Sequence, residues 1–144
     1  MFSTVNTSAS GLTAQRLRMD LIADNIANVN TTRTEDGLPY RRKLAIFRER
    51  NGSFVNKLSS KMENNNTGNG VEVAGIREDT KPFKTVYRPE HPDANEDGYL
   101  EMPNINITSE MVDMIDASRS YEANVTALNT TKRMALKALE IGRG

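Results

Sequence analysis

Cysteine is absent from all 144 residues, and so is tryptophan. The first absence excludes a disulfide framework, thiol catalysis and zinc–thiolate sites. It also suits a chain that passes from a reducing to an oxidising space. Histidine occurs once, at His91. Catalysis there would need a base or nucleophile poised beside it, and no nearby Ser or Cys motif supplies one. No apolar run approaches the ~20 residues of a membrane span, so direct membrane insertion is not expected. The start of the chain lacks a charged-then-apolar stretch with a small-residue cleavage site, so an ordinary secretory route is not indicated. An excess of one charge sign is missing too. Nineteen basic and nineteen acidic side chains cancel, which leaves no global attraction to nucleic acid or acidic membranes. Apolar residues make up 37% and mean hydropathy is -0.60, against a usual apolar share of ~45–50%. The core must be thin, with stability borrowed from neighbours.

What is present is a heptad pattern at both ends. Val5, Leu12, Met19 and Ile26 recur every seven residues, with Ile22 and Val29 on the adjoining stripe. Towards the other end Met111, Ser118, Val125 and Leu139 share one stripe, and Met114, Tyr121, Leu128 and Ala135 the next. Such stripes need a partner helix. The two helices cover each other, or they cover helices from other copies. Either way the chain reads as an assembly protein. The spacing predicts a helix over 4–29, polar at its end (Asp24, Asn25, Asn28, Asn30). Those Asn residues either cap the helix end or bond the backbone of a neighbouring subunit. A second helix starts near Thr108 or Ser109, with Glu110 and Asp113 where the dipole favours anions, and ends at Gly142.

Between the helices the pattern changes. Asp36-Gly37 and Pro39 mark a loop. Tyr40–Arg50 reads as a strand, and Asn51-Gly52 as a turn into a short return strand over Ser53–Val55. Further strands are expected around Val71 and Val73, around Phe83, Thr85 and Tyr87, and at Tyr99–Met102. The stretch 63–70 is polar and of low complexity. Charge is uneven: residues 33–61 carry eight basic and three acidic side chains, and residues 62–107 four and nine. These blocks form either two solvated faces of one β unit or complementary surfaces between subunits. The expected organisation is α+β. Rod-like helices span 1–32 and 108–144 and pack as a coiled-coil-like pair, and a small antiparallel β-rich region spans 33–107.

Two local patterns resemble binding motifs. Asp93-Ala94-Asn95-Glu96-Asp97-Gly98 matches the first half of a calcium loop. The twelfth position, where a bidentate Glu belongs, is Asn104, and two prolines precede the loop where a helix should lead in. A turn between strands is the plainer reading. A calcium-binding module using Asp93, Asn95 and Asp97 is the alternative from another functional class. Arg41-Arg42-Lys43 beside Tyr40 is a basic run with one aromatic, weak support for single-strand binding. A charged edge strand accounts for it. No catalytic, cofactor or metal residue is assigned.

Longer stretches resemble one family. Asp20-Leu21-Ile22-Ala23-Asp24-Asn25-Ile26-Ala27-Asn28-Val29-Asn30-Thr31 resembles the signature of the flagellar basal-body rod proteins. Where that signature usually continues into Pro-Gly-Tyr, this chain has Thr32-Arg33-Thr34, which resembles the proximal rod type and not the distal rod or hook types. His91–Asn95, Gly98-Tyr99 and Pro103–Asn106 agree, as do Ser118–Val125, Leu128–Lys132 and Leu139–Gly142. The resemblance implies a non-enzymatic structural subunit of the proximal rod, with a distal rod or hook-type subunit as the alternative. It implies synthesis in the cytoplasm, export by the flagellar type III apparatus without a cleaved signal, and polymerisation in the periplasmic part of the basal body. Its implied partners are other rod proteins, the rod–export-gate junction protein and further copies of itself. The terminal helices would then line the export channel. The residues expected at the assembly interface are Val5, Leu12, Met19, Ile22, Asn25, Ile26, Asn28, Val29, Met111, Met114, Tyr121, Asn124, Val125, Leu128 and Leu139.

Overall fold

The computed structural model describes residues 2–50 and 69–142. Two long helices bracket two β-ribbons, in the order α1 (Phe2–Ala27), β1 (Lys43–Glu49), β2 (Val71–Glu78), β3 (Lys84–Tyr87), β4 (Tyr99–Met102) and α2 (Ile107–Gly142). This is the expected α+β arrangement. The return strand expected at Ser53–Val55, and most of the polar stretch 63–70, lie outside the described residues.

The helices pack on each other within the chain. A Cβ built on Gly11 would lie 3.0 Å from the Asn124 side-chain oxygen, and Asn25 bonds Glu110. Moving along α1 from Gly11 to Asn25 therefore matches moving back along α2 from Asn124 to Glu110, so the pair is antiparallel. With 36 residues against 26, α2 is the longer, about 54 Å against 39 Å at ~1.5 Å per residue. Its turns after Arg133 extend beyond the start of α1.

Each helix end has a local cause. At the end of α1, the Asn28 side chain donates to the Asp24 carbonyl at 2.9 Å and its oxygen accepts from Thr31 Oγ1 at 3.1 Å. The Asp24 carbonyl also accepts the Asn28 N–H at 3.0 Å, so Asn28 closes the last turn through both its backbone and its side chain. The start of α2 differs from the sequence expectation. Asn106 Oδ1 accepts the N–H groups of Thr108 at 3.0 Å and Ser109 at 3.3 Å, so Asn106 is the cap, and Thr108 and Ser109 are already helical.

β1 and β2 pair antiparallel, Lys43 opposite Glu78 and Glu49 opposite Val71, with a bulge between Ile46 and Phe47. β3 and β4 form a separate antiparallel ribbon. β1 is shorter than the expected Tyr40–Arg50 because the lead-in residues are held elsewhere. The Tyr40 N–H donates to the Thr31 carbonyl at 3.1 Å. The Arg41 guanidinium lies 4.4 Å from the Phe83 ring centre and donates to the Asp79 carbonyl at 3.2 Å.

The core is thin, as the composition implied. Ala14, Leu21, Ile22, Tyr40, Leu100 and Ala117 are its buried apolar members, with Leu100 at 2% exposure. Small residues bring the elements close. Gly70, at φ +87°, passes directly over α1, where an added Cβ would lie 2.5 Å from Ser10 Oγ. That oxygen accepts the Val71 N–H at 3.1 Å and donates to the Thr7 carbonyl at 2.7 Å. Ser10 thus fastens the start of β2 to α1.

Candidate assembly interface

Asn25 lies on α1 three residues after Ile22 and four after Leu21, both buried, so helical spacing turns it inward with them. It is 1% exposed. Its Nδ2 donates to the Lys43 carbonyl at 2.9 Å and to Glu110 Oε2 at 3.1 Å. Its Oδ1 accepts from the Lys43 N–H at 2.8 Å and from the Tyr40 hydroxyl at 3.2 Å. Every hydrogen-bonding position of the amide is filled from within the chain. Neither expected role describes Asn25: it does not cap the helix end, and its partners are the chain's own strand and second helix. Asn28, three residues on, takes the capping role.

Glu110, also 1% exposed, continues the network. Arg42 Nε donates to its Oε1, and Arg42 Nη2 reaches Asp113 Oδ2 at 3.1 Å. Asp113 Oδ1 accepts from Arg18 Nη2 at 3.1 Å. Glu110 in the first turn of α2, where the dipole favours negative charge, and Asp113 one turn further on are thereby paired with one arginine from α1 and one from the approach to β1. A buried carboxylate needs such pairing, since an isolated one costs several kcal/mol or more. Burial, followed by the charges of Asp24, Glu78 and Glu110, raises the Tyr40 hydroxyl above its ordinary pKa of 10.0. The phenol therefore stays neutral and donates. Sequence reasoning missed Arg18, Tyr40 and Arg42, and read Glu110 and Asp113 only as dipole partners.

The expected interface residues fall into two groups. Ile22 and Asn25 are buried between elements of the chain, while Val5, Leu12, Met19, Ile26, Asn28 and Val29 are half-buried or more exposed. On α2, Met114, Tyr121, Asn124, Val125 and Leu128 are also half-buried. Met111 and Leu139 stand 56% and 66% exposed. They do not stand alone. Ile107, Val112 and Ile115 are exposed around Met111, and Met134, Leu136 and Ile141 around Leu139. Both ends of α2 thus carry uncovered apolar side chains, an arrangement that marks interaction surfaces.

The candidate chemical motifs are absorbed by the fold. Asn95 Oδ1 accepts the Tyr99 N–H at 2.7 Å, and Asp93 Oδ2 accepts from Thr32 Oγ1 at 2.8 Å. His91 Nδ1 accepts the Asp93 N–H at 3.2 Å. Among the described residues no group of three His, Asp or Glu side chains is placed to hold a metal ion. The basic run is turned inward: Arg41 onto Phe83, Arg42 onto Glu110 and Lys43 over the Tyr40 ring at 5.4 Å. The two charge blocks meet where Arg48 pairs with Glu72 at 2.7 Å across the β1–β2 ribbon. Among the described residues no helix is long and apolar enough to cross a membrane.

A long helix pair with uncovered apolar ends, a small β insert and a fully paired polar cluster defines a structural assembly subunit. Comparison with known proteins gives the same answer. Residues 5–33 match the model of the flagella basal body rod protein family, and residues 96–141 that of the flagellar basal body rod FlgEFG protein C-terminal region. The chain is 50% identical to the flagellar basal-body rod protein FlgC of Bacillus subtilis, covering 99% of this chain and 98% of that protein. It is 49% identical to FlgC of Borreliella burgdorferi, covering 100% and 99%, and 41% identical to FlgC of Escherichia coli O6:H1, covering 99% and 98%. The chain belongs to the flagellar basal-body rod proteins, in the FlgC-type branch. It is a structural component of the flagellum and not an enzyme.

Proposed function

We propose that this proximal rod subunit polymerises through segments 1–32 and 108–144, while the β region 33–107 is carried outside the helical layer. The terminal helices surround the export channel and help transmit torque. The subunit reaches its place through the flagellar type III export apparatus without a cleaved signal, and assembles in the periplasm. It meets further copies of itself, other rod proteins and the rod–export-gate junction protein. Met111 and Leu139, with the half-buried stripe between them, form the contact surface, and Asn25 acts on it indirectly by holding α1 and α2 together.

One observation carries this reading: the apolar side chains left uncovered at both ends of α2 in a chain whose family builds the rod. Leu139→Asp tests it. The side chain is largely exposed, so the subunit folds and is exported, but an unpaired carboxylate in a subunit interface costs several kcal/mol. The expected result is mutant protein in the periplasm, no completed rods and no swimming. Normal motility would refute the contact role.

A further inference from the structure

A heptad stripe does not specify its own register. Val5, Leu12, Met19 and Ile26 repeat every seven residues, as do Met114, Tyr121, Leu128 and Ala135. Sliding α1 by one heptad along α2 again sets apolar against apolar, as in coiled coils that need a polar residue to fix alignment. The slide moves α1 by about 10 Å towards the end of α2, where Met134, Leu136 and Leu139 would take the places now held by Ala127, Asn129 and Lys132, all exposed beside α1. The connection from Asn28 to Arg42 is long enough to permit the movement, since its 15 residues reach much further than that when extended. Apolar burial alone thus does not select the observed register.

What opposes the slide between the helices is concentrated at the other end of the pair, and the slide would also break the bond from Val71 to Ser10. Asn25 bonds Glu110, and Arg18 bonds Asp113, both directly from α1 to α2. Arg42 holds both acids, while Asn25 grips the backbone of Lys43. After a one-heptad slide Asn25 would lie level with Ala117, which is fully buried and offers its side chain no polar partner. Four hydrogen bonds at Asn25 and the direct α1 pairings of Glu110 and Asp113 would be lost together.

We propose that Asn25, Arg42 and Glu110 are positioning residues that fix the register of α1 on α2 and so set which turns of α2 extend beyond α1. What the overhang is for rests on the rod-subunit reading; the register itself does not, and it is measured on the isolated chain. Because the protein has no cysteine, engineered pairs report register cleanly. Gly11→Cys with Asn124→Cys reads the observed register, since these positions are in contact. Gly11→Cys with Thr131→Cys reads the slid register, and in the observed one those positions lie too far apart for a disulfide.

In the parent chain the first pair should cross-link and the second should not. Adding Asn25→Leu and Glu110→Leu should raise the ratio of 11–131 to 11–124 cross-link by about tenfold or more, as expected when charge-assisted bonds holding one alignment are lost. A folded variant that keeps the parent ratio overturns the inference. Should the double variant lose its helix content, Glu110→Gln decides. It preserves the shape of the side chain and removes only the charge, and the ratio must still rise several-fold. An unchanged ratio in that variant overturns the inference equally. Failure of Leu139→Asp to block rods would refute the assembly reading and leave the register result standing.

Discussion

The two ends of the helix pair are opposites. At one, Asn25 and Glu110 are almost completely buried, and their hydrogen-bonding groups meet partners from both helices and the first strand. At the other, α2 runs on alone with Leu139 and Ile141 largely exposed. Lys137 there pairs with Glu140 at 2.9 Å, which leaves the apolar side chains around it bare. The buried contacts of the closed end are polar and the uncovered side chains of the open end apolar, the reverse of the usual division between inside and outside. Polar contacts are directional and select one geometry. Apolar surface is permissive and takes whatever shape a partner offers. The polar groups that define the fold and the apolar overhang at the far end of α2 are thereby separated along one helix, while Met111 lies beside Glu110. From Glu110 to Lys137 the distance is about 40 Å at ~1.5 Å per residue.

The contrast breaks most readily at the closed end. Arg42→Ala leaves Glu110 buried without its main counter-charge, and losing one member of a buried pair costs about 3–5 kcal/mol. Urea unfolding should show that loss, or no cooperative transition at all. A change below about 1 kcal/mol would mean that water reaches Glu110 freely. Asn25→Ala comes next. It orphans the Lys43 backbone groups and the Tyr40 hydroxyl, at about 1–3 kcal/mol each, against a helix-propensity gain of at most ~0.7 kcal/mol. A net loss of about 2 kcal/mol or more is expected by the same measurement.

Tyr40 supplies a pH test of the same end. Its pKa is raised in the folded chain, chiefly by burial, so folding favours the neutral phenol. That stability is fully present below the unfolded value of about 10 and is lost as pH rises through the folded value. Stability should therefore fall more steeply above about pH 10 in the parent than in Tyr40→Phe. The variant itself should cost about 1 kcal/mol at neutral pH for the lost hydrogen bond. Equal alkaline slopes would refute the assignment.

The open end should respond in the opposite sense. Leu139→Asp should change the stability of the isolated chain by no more than about 0.5 kcal/mol, as exposed substitutions do, while removing assembly. Asn28→Ala, which removes two partly exposed hydrogen bonds at the end of α1, should cost no more than about 1 kcal/mol in thermal unfolding. If Asn25→Ala and Asn28→Ala proved equal, the distinction between the two asparagines would be lost.

That distinction also shows what the sequence makes legible. The helices are readable because seven-residue spacing is a local property, and Leu12, Met19, Tyr121 and Leu128 display it without reference to the fold. Asn25 is readable only in part. It lies on the inward stripe with Leu21 and Ile22, and a polar residue there signals a buried partner. The partners themselves are Tyr40, Lys43 and Glu110, which only the tertiary fold brings together. Arg42 looks like one member of a basic run, because a run of charges says nothing about which way each side chain turns. The start of α2 is hard to place for a similar reason. Asn106, Thr108 and Ser109 are all good caps, and the backbone geometry chooses the first.

Among the described residues the β1–β2 ribbon is hydrogen-bonded to α1 at two places, Lys43 at Asn25 and Val71 at Ser10. These points lie about 22 Å apart along the helix, close to the length of a seven-residue strand at ~3.3 Å per residue. A strip fastened at a single point can swivel about it. Fastened at both ends, it can neither swing nor lift without breaking bonds at one of them. A load applied sideways to the outer part of the chain is then shared between the two fastenings as a push at one and a pull at the other, and the helix beneath turns with the ribbon as one stiff piece.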